Sequence, residues 1–193
     1  MIKVLLISAA ITALLFFTLD KVFPLPDNVD YSTIITDKNG DIIHAYLTKD
    51  DKWRMKTSLD EISPLLRQTI IQKEDKYFYY HVGINPFAIA RAMISNMLHL
   101  RRTSGASTIT MQVARALEKR PRTYANKLIE IFRAWQIEKK YNKDEIVQLY
   151  CNLLPYGGNI EGVKAAALLY FQKDPDHLSL AEVTALSIVP NRP

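Results

Sequence analysis

Residues 74–83 read EDKYFYYHVG, two acids followed by the rings of Tyr77, Phe78, Tyr79 and Tyr80. A carboxylate beside aromatic rings loses hydration, so its charged form is disfavoured and it becomes able to take or give a proton near neutral pH. The same residues also suit a solvated helix end, with Glu74 and Asp75 in water and the rings packed beneath. His81 carries the same pair of readings, a hydrogen-bonded core histidine or a proton carrier. The four histidines, His44, His81, His99 and His177, are scattered along the chain. With none at ligand spacing from another histidine or a cysteine, they compose no metal set.

A second candidate lies at residues 101–115, RRTSGASTITMQVAR. Gly105 and Ala106 permit a close backbone approach, and Ser107, Thr108 and Thr110 supply hydroxyls at the start of an expected helix. A helix start with free amides suits a phosphate, and Arg101, Arg102 and Arg115 would reinforce it. An ordinary flexible loop ending in a Ser/Thr cap explains the same residues. Arg91 falls beside Phe87, Ile94 and Leu98 on a helical wheel, so its stem snorkels to the surface or its head meets a buried anion. Lys127 and Glu130 are spaced as a helical ion pair.

These residues need elements to hold them. The chain has 193 residues, 48% hydrophobic, with a formal charge of +5 and one cysteine, Cys151. That supports one core, excludes a disordered chain and an internal disulfide, and suits an anionic partner without choosing it. After Lys3 an apolar run from Val4 to Leu19 is read as an uncleaved signal anchor, with the remaining chain outside the cytoplasm. The PLPD at 24–27 forms a stiff spacer, and Asn39-Gly40 between β-branched runs predicts a hairpin. Helical texture begins at residue 59. Asn85-Pro86 starts one helix with Phe87, Ala90, Ile94, Met97 and Leu98 on its stripe. Others are expected over 108–118, over 123–141 with Leu128, Ile131, Phe132 and Trp135 buried, and over 143–151, 162–171 and 180–189. The expected domains are an anchor (1–23), a linker with a small β element (24–58) and an α-rich domain (59–193). The stop at VPNRP, straight after a helix needing a packing partner, is expected of a truncated domain.

In order and separation, these segments resemble the peptidoglycan glycosyltransferases, glycosyltransferase family 51. EDKYFYYHVG matches the family's EDxxFxxHxG, GASTITMQ is similar to GGSTITQQ, KLIE fits KxxE, and KDEIVQLYCN and YGGNIEGVKAAALLYFQK are similar to the later segments. Within the family, the PLP spacer, NPFAIARA, TMQVAR and PYGG are most similar to the penicillin-binding proteins of the 1C type. Those carry a transpeptidase domain after the glycosyltransferase; neither its SxxK nor its KTG motif occurs here.

The resemblance implies a mainly α, lysozyme-like domain beside a smaller lobe that dips into the membrane. It also implies polymerisation of lipid II at the outer face of the cytoplasmic membrane. Glu74 matches the general base, and Glu130 the second acid, with a divalent cation such as Mg as an option there and no organic cofactor. Lys127 and Arg115 fall on phosphate-binding positions, and Gly105, Ser107, Thr108, Thr110 and Gln112 on the donor-side loop. Arg91 is counted with the substrate-binding residues, as are Asp75, Phe78, His81 and Gly83, which are also expected to shape the turn under Glu74. Partners implied are lipid II, lipid-linked glycan, the membrane and cell-wall synthesis proteins, not nucleic acid. Asn126 departs from the family by standing where an arginine commonly precedes the lysine, and Ala106 and Met111 also depart. A catalytically impaired scaffold that binds glycan or wall-synthesis partners is the alternative.

Overall fold

The computed structural model describes residues 2–99, 107–121 and 123–191. Gly105 and Ala106, and with them Arg101 and Arg102, lie outside the described residues. The chain runs through α1 (Ile2–Val22), β1 (Ile34–Thr36), β2 (Ile42–Ala45), β3 (Trp53–Arg54), α2 (Pro64–Asp75), α3 (Pro86–His99), α4 (Ile109–Leu117), α5 (Tyr124–Lys140), α6 (Lys143–Leu153), β4 (Pro155–Gly157), β5 (Ile160–Glu161), α7 (Val163–Phe171) and α8 (Leu180–Ile188). The chain is mainly helical, as expected.

Helix starts follow from short side chains that spend an oxygen on a free amide. Ser63 caps α2 with Pro64 behind it, Thr108 caps α4 and Thr123 caps α5. Asn142 with Glu145 and Ser179 with Glu182 form reciprocal capping boxes on α6 and α8. At α3 the Asn85 side chain accepts from Ala88 N at 3.0 Å. One core joins α2, α4, α5, α6, α7 and α8 through Leu66, Ile70, Phe78, Ile109, Val113, Ile137, Ile146, Val147, Val163 and Leu186. Each such aliphatic or aromatic side chain removed from water contributes about 1.5–3 kcal/mol.

The predicted hairpin is present: β1 and β2 pair antiparallel, Ile34 opposite Ala45. Its turn is drawn in by Asp37, whose carboxylate accepts the amides of Asn39 and Asp41. A second sheet, ordered β3-β5-β4, was not foreseen; in it β3 lies parallel to β5. Just after β5 the chain turns at Gly162, where φ is +90° and a Cβ would lie 2.8 Å from the Asn152 carbonyl oxygen. Only glycine fits there.

Two expectations are corrected, on α3 and on α5. The described part of the stripe named on α3 does not face a core: Phe87 is 87% and Ile94 56% exposed and Ala90 is exposed, while Ala92 beside them is buried. The side chains of Met97 and Leu98 lie outside the described residues. On α5, Leu128 is 70% exposed while Arg133, Ala134, Gln136 and Ile137 are buried. Arg133 and Gln136 turn inward because each meets an acceptor there: Arg133 donates to the carbonyls of Phe23 and Pro24 and to Glu118, and Gln136 donates to Phe23 O and Asp20. Consequently the proline spacer is docked against α5 and does not stand free. The expected anchor is a helix, α1, with Phe16 edge-on to Phe132 and Trp135. Among the described residues no helix is long and apolar enough to cross a membrane.

Candidate active site

Glu74 sits in the last turn of α2, half-buried. Beyond it the chain makes a tight turn over Phe78–Tyr80 and arrives at Gly83 with φ +75°. There an added Cβ would press on the Ala134 backbone at 3.3 Å, so α5 closes on this turn. The turn is held from within. His81 Nε2 meets both oxygens of the buried Asp75 at 2.9 and 3.0 Å, and Phe78 is fully enclosed.

The start of α4 lies against this turn. Asp75 Oδ2 accepts the Ile109 amide at 3.2 Å, and Thr108 accepts the Met111 amide while donating its hydroxyl to Gly83 O. The anion that favours a helix N-terminus is here the chain's own Asp75, so these two amides are already used. Thr110 is buried and donates to Glu138 at 2.6 Å. Asp75, Phe78, His81, Gly83, Thr108 and Thr110 thus form the floor under the site.

The outward edge of α4 gathers the remaining polar side chains. Gln112 donates from Nε2 to Glu74 Oε2 at 3.0 Å. One turn further, on the same face, Arg115 donates to both oxygens of Glu130, at 2.7 and 3.0 Å. Lys127 reaches Glu130 at 2.9 Å and Ser107 Oγ at 2.7 Å, and Arg115 also approaches Ser107 Oγ at 3.4 Å. One short helix therefore links the two acids read from the sequence. Glu74 faces a cavity of about 470 Å³ whose wall includes Lys73, Arg91, Ser107 and Thr108. Across Gln112 lies a second of about 460 Å³ walled by Arg115, Lys119, Tyr150 and Pro190. Arg91 is exposed and faces the first cavity with its head unburied.

Charge is arranged unevenly. Burial pushes the Glu130 pKa up, but the bonds from Arg115 and Lys127 outweigh it and leave the carboxyl below its ordinary value. The same bond holds the Arg115 guanidinium above its ordinary value against the pull of burial. Two cations around one acid leave an excess positive charge beside Ser107, a setting in which an anion is stabilised.

A divalent cation fits Glu130 poorly. Magnesium seeks several oxygen donors in an octahedron, whereas this carboxylate is alone, both its oxygens are taken, and two cations stand beside it. Among the described residues the acids and histidine close enough to hold a metal are Asp174, Asp176 and His177, all exposed. Asn126, at the position where the family commonly has an arginine, donates instead to the Pro121 carbonyl at 2.8 Å.

Against known proteins, the model of the family described as Transglycosylase matches residues 39–193. The chain belongs to the transglycosylase family. Penicillin-binding protein 1C of Escherichia coli (strain K12) is 37% identical over 175 residues, which is 90% of this chain and 23% of that protein. Penicillin-binding protein 1A of the same strain is 38% identical over 156 residues, 80% of this chain and 18% of that protein. Penicillin-binding protein 4 of Bacillus subtilis (strain 168) is 32% identical over 177 residues, 91% of this chain and 28% of that protein. This transglycosylase chain thus spans less than a third of the length of these relatives.

Of the residues picked out in the sequence, Glu74, Ser107, Gln112, Arg115, Lys127 and Glu130 come together along one edge of α4. Arg91 joins the wall on the Glu74 side. Sequence reasoning gave no role to Tyr150, whose hydroxyl donates to Gln112 Oε1 at 3.3 Å, although it lies inside the segment KDEIVQLYCN. It also gave none to Arg133, a buried cation on an expected helix, which is a signal of the same kind as Arg91.

Proposed function

We propose that the chain is an inverting peptidoglycan glycosyltransferase. It polymerises lipid II into β-1,4-linked strands and releases undecaprenyl pyrophosphate. The observation that carries this reading is the polarity of α4: Gln112 holds a half-buried carboxylate at one end, and Arg115 anchors a cluster with excess positive charge at the other.

A single displacement needs those two things and no covalent nucleophile. The 4-hydroxyl of the acceptor sugar gives its proton to Glu74 as its oxygen attacks the donor's anomeric carbon. The bond from that carbon to the pyrophosphate breaks, and its electron pair goes to the phosphate oxygen. Arg115 and Lys127 offset the charge that develops there, while Glu130 keeps both cations aimed. Pyrophosphate leaves without a proton, unlike the leaving oxygen that glycan-cleaving enzymes of similar fold must protonate.

In this reading α1 is a single-pass anchor in the cytoplasmic membrane and the rest of the chain lies outside. Support comes from Lys3 ahead of the apolar run. The exposed Phe87, Ile94, Tyr124 and Leu128 are the faces that would meet lipid and admit a lipid-linked substrate. The alternative, a scaffold that binds without turnover, is favoured by Asn126, which gives its amide to Pro121 instead of to the anion site.

The deciding experiment incubates the full chain in lipid with labelled lipid II. We expect polymer from the parent, a loss of about 10²–10⁴-fold for Glu74→Gln, and a strongly reduced yield for Glu130→Gln. Full activity in Glu74→Gln would overturn the mechanism. Substrate binding without polymer in the parent would favour the scaffold.

A further inference from the structure

Glu74 is tied to a core residue through a single intervening side chain. Tyr150, on α6, is 5% exposed, with its ring packed in the central core. Its hydroxyl donates to Gln112 Oε1 at 3.3 Å, and Gln112 Nε2 donates to Glu74 Oε2 at 3.0 Å. The order of these contacts matters, because an amide has one accepting end and one donating end. With the tyrosine proton on Oε1, Nε2 is turned to the carboxylate. We propose that Tyr150 is a positioning residue for Glu74, acting through the Gln112 amide; this rests on Glu74 being the base of the polymerisation described above.

The need for such a tether arises during turnover. Before reaction Glu74 is a pure acceptor and by itself favours the observed amide orientation. Once it has captured the acceptor's proton the bond from Nε2 loses its charge assistance and the acid carries an O–H, so a free amide is held less firmly and is able to swing round to offer Oε1 instead. That swing would stabilise the protonated acid and leave the site wrongly set for the next addition. It would also strip the Tyr150 proton of its acceptor, which disfavours the swing. Burial, and after it the negative charge of Glu74, hold the Tyr150 hydroxyl well above its ordinary pKa. The proton that fixes the amide is therefore present at any working pH. A tyrosine kept only for its ring would be replaced by phenylalanine without effect on Gln112.

The test is a double-mutant cycle on the full chain in lipid, with labelled lipid II, over wild type, Tyr150→Phe, Gln112→Ala and the pair. We expect Tyr150→Phe to keep its unfolding midpoint and KM while kcat falls by about 5- to 10-fold, a loss of orientation and not of binding. In the Gln112→Ala background the same change should cost nothing further. Side-chain ¹⁵N relaxation of the Gln112 amide provides a readout independent of activity, and Tyr150→Phe should make that amide mobile. An unchanged kcat, or an equal loss with and without Gln112, overturns the proposal. If the wild type makes no polymer, the polymerase reading fails separately, and a rigid Gln112 amide in Tyr150→Phe then overturns the tether.

Discussion

Arg54 and Arg115 each meet a carboxylate, and the clusters around them are built to opposite ends. Arg54, on β3, has a side chain only 7% exposed and is bound by Glu161 at 2.6 Å and Asp50 at 3.0 Å, with Asp30 O taking a further donor. Its bond holds the Asp50 carboxyl down at about 2. Lys119, at 3.3 Å, and Lys52, at 4.0 Å, also reach Glu161, so the charges close round one another and sew β3 to β5. At Glu130 the arrangement is open. One acid lies between Arg115 and Lys127, whose side chains are 30% and 36% exposed, and the surplus positive charge opens beside Ser107. A closed network holds the fold, whereas an open one leaves its cations within reach of an anion, and the exposure of the arginine, 7% against 30%, distinguishes them.

Removing each arginine breaks the comparison most directly. Arg54→Ala leaves the buried Glu161 with only Lys119 and Lys52, at 3.3 and 4.0 Å, and takes away the donors that join β3 to β5, so a cost of about 2–4 kcal/mol is expected, seen as a clear fall in the unfolding temperature. Polymerisation per folded molecule should be preserved. Arg115→Ala should do the converse. A loss of about 10²–10³-fold in kcat is expected, with a smaller change in urea midpoint, because Lys127 remains to neutralise Glu130. If Arg54→Ala abolishes turnover in folded protein, or Arg115→Ala is only destabilising, the division into closed and open networks fails.

A smaller effect tests the Glu130 side by pH. Its folded carboxyl lies below the ordinary value of 4.5, so its contribution to stability is complete above that value. It is lost as pH falls through the lower folded pKa. Glu130→Gln should therefore cost about 1–2 kcal/mol at pH 7, intermediate between exposed and buried pairs. The two proteins should converge in urea midpoint once the pH is taken below that lowered folded value. A gap that persists there would mean that packing, not charge, holds the cluster.

Much of this was legible beforehand because caps are local. Thr108, Thr123, Asn142 and Ser179 each set a helix start with a side chain a few atoms long, and α4, α5, α6 and α8 begin within a residue of the starts expected at 108, 123, 143 and 180. The failures came where the reading assumed that apolar faces turn inward. Phe87, Ile94 and Leu128 follow helical spacing yet are exposed, and α5 buries Arg133 and Gln136 because distant carbonyls at Phe23 and Pro24 receive them. No periodicity encodes a partner more than a hundred residues away. The pairing of β3 with β5 was hidden for the same reason, as was Tyr150, whose value lies in the far end of another helix's glutamine.

The carbonyls of Phe23 and Pro24 also bear on motion. Their donors stand on α5 within two turns of Glu130, and Lys139 adds a contact to Asp20 at 2.5 Å. The end of α1, the proline segment and α5 are then one cooperative unit. A twist delivered at the N-terminal helix reaches Glu130 through a rod about two turns long, so whatever fixes the heading of α1 also fixes the heading of the acid.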